Sequence, residues 1–158
     1  GLALVSGRVD VAVSYEPYIS AALAKSDSNK VLYTAAEKPG LISDLLTARS
    51  DWIEANPEVV RGLILAWDDA VTFIRENPEE GQAMIADAVG AKRDYFAPAW
   101  AGVRLYNIEE MIEFYNGGFQ ETVTEIGEIL KEAKPEEITK VPTADDILML
   151  DVLLSMQN

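Results

Sequence analysis

Carboxylate chemistry stays open to this chain, but its 158 residues include no Cys and no His. That excludes thiol nucleophiles, Cys/His zinc sites, Ser-His-Asp triads and histidine acid–base catalysis. The 27 acidic residues offer many carboxylate pairs. None is marked out by a Gly-rich phosphate loop, a Lys nucleophile motif or a regular metal-ligand spacing, so no cofactor or metal is expected. One stretch stands apart: Tyr15-Glu16-Pro17-Tyr18, an acid between aromatics at the end of an alternating apolar run. These are recognition groups, and the junction of a strand's carboxyl end with a helix is where open α/β folds tend to place ligands.

Each candidate has a plainer reading beside the functional one. Glu16 is either a ligand contact or a helix-start acid favoured by the macrodipole. Tyr15 and Tyr18 either wall a pocket or cover the edge of the core. In the segment Gly40-Leu41-Ile42-Ser43-Asp44, Gly40 and Ser43 are candidates for a ligand site because glycine lets backbone approach a ligand closely. A simple turn explains the same residues. Trp67 falls in a helical apolar stripe and is expected in the core, whereas Trp100 is read as a loop residue open to a surface contact. Asp145 and Asp146 are read as helix-capping acids rather than metal ligands.

The elements that would position these residues follow from periodicity and punctuation. Leu2 to Ser6 reads as the end of a helix with Gly7 as its left-handed stop. Val9, Val11, Val13 and Tyr15 alternate like a strand, and Pro17 suits the first position of a helix running to about Lys25. Lys30–Ala35 and Ile42–Arg49 read as two further strands. From Ser50 the pattern becomes helical. Asn56-Pro57-Glu58 and Asn77-Pro78-Glu79-Glu80 both read as helix starts with a capping Asn, the second as a capping box. Asn107 opens another helix, which Gly117-Gly118 halts, and a further helix continues to Lys134-Pro135. Thr143 to Asp146 caps a last one carrying Ile147 to Leu154. The expectation is therefore an α/β chain, with residues 1–50 holding a small sheet and residues 51–158 mainly helical.

Composition narrows the partners. Thirteen basic residues against 27 acidic ones leave a net charge of −14, which repels nucleic acid and anionic membranes. No apolar run approaches the roughly 20 residues that span a bilayer.

The order of motifs resembles a known family. Gly7, Val9 and Asp10 precede the apolar run and Glu16-Pro17-Tyr18. Then come Leu46, Ala48 and Arg49, Asn56 to Val60, the helix with Ala66, Trp67 and Ala70, and Asn77 to Glu80. Over Leu2 to Gly90 this resembles the second half of the solute-binding proteins of ABC importers in the nitrate, sulfonate, taurine and thiamine-precursor group. The resemblance implies a two-lobed, type II-like periplasmic binding fold whose first lobe lies outside this sequence. It also implies a small polar solute, a membrane permease as partner, an extracytoplasmic location and no chemistry by the chain itself. Tyr15, Glu16 and Tyr18 would then form part of the solute site. Two other function classes stay open: an enzyme similar to thiamine-pyrimidine synthases, and a helical sensor or interaction domain.

Overall fold

Glycines and prolines set where this backbone turns. In the computed structural model, which describes residues 2–16, 18–38, 40–91 and 93–156, the first helix α1 (Leu2–Val5) ends in a paired stop. Gly7 sits at φ +68°, its N–H donates to the Leu4 carbonyl, and the Arg8 N–H reaches back to Ala3. Those two bonds satisfy carbonyls that a helix end otherwise leaves bare. After α2 (Tyr18–Leu23) and a 3₁₀ turn at Ala35–Glu37 come α3 (Ser50–Ala55), α4 (Pro57–Glu76) and α5 (Pro78–Ala88). Gly90, at φ +67°, repeats the paired stop after α5, with Ala91 N–H bonded to Ala86. Next are α6 (Arg93–Trp100), α7 (Ile108–Tyr115), α8 (Gly118–Ala133), α9 (Ala144–Ile147) and α10 (Leu150–Leu154). The expectation that Pro17 opens α2 falls outside the described residues.

The expected α/β architecture does not form. Among the described residues there is no strand, and the segments read as strands run as irregular backbone. The reason is that a strand exists through its partner, whereas a helix closes its own hydrogen bonds. Alternation supplies an apolar face but neither a ladder nor a cover for it. Val11 is 66% exposed, Val13 102%, Leu32 79% and Leu46 80%, so these side chains reach no core.

The two Asn-Pro junctions also differ from their expected role. At Asn77 no side-chain cap forms at the start of α5, and the Asn77 amide instead donates to the Phe73 carbonyl of α4 at 3.1 Å. Asn56 does the same to Trp52 of α3 at 2.8 Å. Both asparagines have nearly the same backbone, φ −134° ψ 49° and φ −129° ψ 62°. A residue before proline is barred from helical geometry, so one helix must end there and the next begin at the proline. With a single residue between helices, the bare carbonyls of the upstream helix capture the amide. Glu80 therefore closes no capping box.

Two other caps form as expected. Asn107 accepts from the Glu110 N–H at 2.9 Å while Glu110 accepts from the Asn107 N–H at 3.0 Å. Asn107→Ala should cost about 1 kcal/mol in unfolding free energy, read as a lowered urea midpoint. Thr143 and Asp146 make the equivalent pair at α9. The Thr143 N–H and hydroxyl, with Lys140 beside them, hold the Asp146 carboxyl below the ordinary carboxylate range. A depressed folded-state pKa gives a stabilisation present above the unfolded value of about 3.9 and lost as pH falls through the folded one. The protection factor of the Thr143 amide, taken against the intrinsic exchange rate at each pH, should therefore fall on acidification, and a pH-independent protection factor would contradict the cap.

The chain divides into two units, one of Gly1–Glu37 with Phe73–Arg104, the other of Lys38–Thr72 with Leu105–Asn158. In the first, α1 packs on α2 and α5 on α6, with Ala22 and Ala86 buried. Gly81 lies so close to Ile74 that a Cβ there would stand 2.8 Å from its Cγ1. In the second, α7 packs on α8 and α10, and α8 on α9. Its core holds Val71, Ile112, Phe119, Ala144 and Leu153. Trp67, expected in the core, is 46% exposed, and its indole N–H donates to the Tyr106 carbonyl at 2.8 Å.

Candidate functional site

In the first unit, irregular backbone carries Tyr15 and Glu16 directly to the start of α2. The Tyr15 carbonyl accepts from the N–H groups of Tyr18 and Ile19 at 2.9 and 3.2 Å, which draws Tyr15 and Tyr18 onto the same side of the turn. Their rings meet edge to face, centroids 5.3 Å apart with planes at 89°. That is the preferred arrangement of two aromatic quadrupoles. Tyr15 is 70% exposed and Tyr18 52%, so neither ring covers a core. The half-buried Glu16 carboxylate accepts the Ser20 N–H at 3.1 Å through one oxygen. Tyr15 and Tyr18 are thus brought together as an exposed ring pair, with Glu16 between them in the chain and its carboxylate on the Ser20 N–H.

Gly40 and Ser43 belong to the second unit and serve a local turn. Gly40 has φ +90°, and a Cβ on it would stand 2.7 Å from the Phe114 ring. The Ser43 hydroxyl donates to the Gly40 carbonyl at 3.0 Å, and the Leu41 N–H to the Lys38 carbonyl at 3.2 Å. The close approach that glycine permits here is to an aromatic ring of the same chain. Lys38 is in turn ion-paired to Glu125 of α8.

Other sequence candidates resolve locally. Asp146 closes the capping box that Thr143 opens at α9, and Asp145 lies beside it in the first turn. Trp100 is the last residue of α6 rather than a loop residue and stacks on Phe96, centroids 5.7 Å apart. Among the described residues no three His, Cys, Asp or Glu side chains gather to hold a metal, and no helix is long and apolar enough to cross a membrane.

One concavity had no signal in the sequence. A groove of about 340 Å³ in the second unit is lined by Ile53, Pro57, Val60, Arg61, Asp151 and Val152. Its walls come from α3, the start of α4 and α10, segments with no shared motif, so only the folded chain joins them.

A family model described as NMT1/THI5 like matches residues 2–81, just over half of the 158. No curated protein and no solved structure matches the chain. The matched span contains Tyr15, Glu16 and Tyr18 as well as both Asn-Pro junctions. The family groups the binding proteins for nitrate, sulfonates, taurine and thiamine precursors, with a synthase branch beside them. From the match over residues 2–81, this chain belongs to the NMT1/THI5-like family of solute-binding proteins.

Proposed function

We propose that this chain recognises a small polar solute through Tyr15, Glu16 and Tyr18 and delivers it to an ABC permease outside the cytoplasm. The observation that carries the reading is that the family match spans an exposed pair of tyrosine rings in contact, with an acid between them in the chain. Aromatic faces shed water at little entropic cost, and a carboxylate orients a polar partner. Such a pairing suits reversible capture. Gly40 and Ser43 have residue types that their turn already accounts for, and the proposal does not need them.

Binding is favoured over turnover by the chain's composition. With no His or Cys, proton transfer or nucleophilic attack at the cluster would fall to the tyrosine hydroxyls or to Glu16, one of whose oxygens already serves the Ser20 N–H. The test is titration calorimetry with a panel of nitrate, alkylsulfonates, taurine, small amines and aminopyrimidines. Glu16→Ala and Tyr18→Ala should each weaken the solute that binds by about tenfold or more, roughly 1.4 kcal/mol per decade. Far-ultraviolet circular dichroism should stay unchanged, because neither side chain belongs to a core. Equal affinity in wild type and both variants would remove the cluster from the site.

A further inference from the structure

The turn at Tyr15–Ser20 also bears on the charge of the solute. A helix start attracts anions because its first N–H groups lack partners. Here they have them. The N–H groups of Tyr18 and Ile19 donate to the Tyr15 carbonyl, and that of Ser20 donates to the Glu16 carboxylate. The protein's own acid stands where an anionic ligand would have to sit, and it would repel one.

What remains available has the opposite preference. The ring faces of Tyr15 and Tyr18 that their edge-to-face contact leaves exposed carry the negative lobe of the ring quadrupole. Beside them, Glu16 has a negative charge with no ion pair among the described residues. Both rings are exposed enough to take a ligand. A net charge of −14 adds a long-range field that concentrates cations and depletes anions near the surface.

We infer that the solute is an organic cation, an ammonium or quaternary ammonium group held on the ring faces of Tyr15 and Tyr18 with Glu16 as its counter-charge. This rests on the reading that these three residues form the solute site, and it separates organic amines from the nitrate and sulfonate classes.

The experiment is titration calorimetry of the full chain with choline chloride and, separately, with sodium ethanesulfonate at matched ionic strength. The expected result is binding of choline and no heat from ethanesulfonate. Tyr18→Ala and Glu16→Gln should each weaken choline by about tenfold or more, while Tyr18→Phe stays within about twofold, because the ring face and not the hydroxyl carries the contact. Choline binding that none of the variants changes would be general attraction to an acidic surface and would overturn the inference. Ethanesulfonate binding that Tyr18→Ala abolishes, with no heat from choline, would keep the site and overturn the cation. Absence of binding by either probe would overturn the cation and leave the site itself to the wider panel of solutes above.

Discussion

Phe119→Ala should lower the free energy of unfolding by about 3–5 kcal/mol, the range for truncating a buried phenylalanine. Phe119 is only 4% exposed and is the second residue of α8. Its ring lies 5.5 Å from Phe114 and 5.2 Å from Tyr115, both edge to face, and Phe114 stacks on Tyr106 at 5.2 Å. The substitution therefore removes both the burial of one ring and its contacts with two others. Burial in this cluster also pushes the Tyr115 phenol up from its ordinary value. A domain of this size has about 5–15 kcal/mol in total, so the loss would be a large share of it. Equilibrium urea unfolding measures the loss, and a change below about 1 kcal/mol would mean that the cluster is not a packed core.

Gly40→Ala is the second large effect, about 2–5 kcal/mol from two additive causes. An alanine at φ +90° is strained by roughly 1–2 kcal/mol. Its methyl would also stand 2.7 Å from Phe114 Cζ, and overpacking of that kind costs about 1–3 kcal/mol. Because Phe114 touches both Gly40 and Phe119, the two substitutions should not add, and the double variant should cost less than the sum. An additive pair would place Gly40 outside the cluster. Either result bears on function, since Gly40 was a candidate for ligand contact and the turn alone explains its type.

What could be read from the residues depended on how local the interaction was. Gly7, Asn107 and Thr143 act within four residues of themselves, and each stops or caps a helix where expected. Asn56 and Asn77 are also local, but two ends compete for each amide, and the pattern did not show that the upstream carbonyl would win. The runs Val9 to Tyr15, Lys30 to Ala35 and Ile42 to Arg49 failed for a non-local reason. Their alternation describes a face, and a sheet further needs a neighbour supplying N–H and C=O groups at the right register. Two short helices were missed for a different reason: the sequence at the starts of α3 and α6 lacks the capping-box pattern that marks the similarly short α7. Tyr15-Glu16-Pro17-Tyr18 was visible as a cluster because its members are adjacent in sequence. The consumption of the first amides of α2 by Tyr15 and Glu16 was not visible, and it is the detail that turns the charge argument.

The most direct test of solute capture at Tyr15, Glu16 and Tyr18 is native mass spectrometry of the protein as purified, before dialysis. A small-molecule adduct on the 17.3 kDa chain is expected, and it should be absent from the Glu16→Ala, Tyr18→Ala double variant prepared identically. A bare wild-type chain, or an adduct that survives in the double variant, would contradict recognition at this cluster.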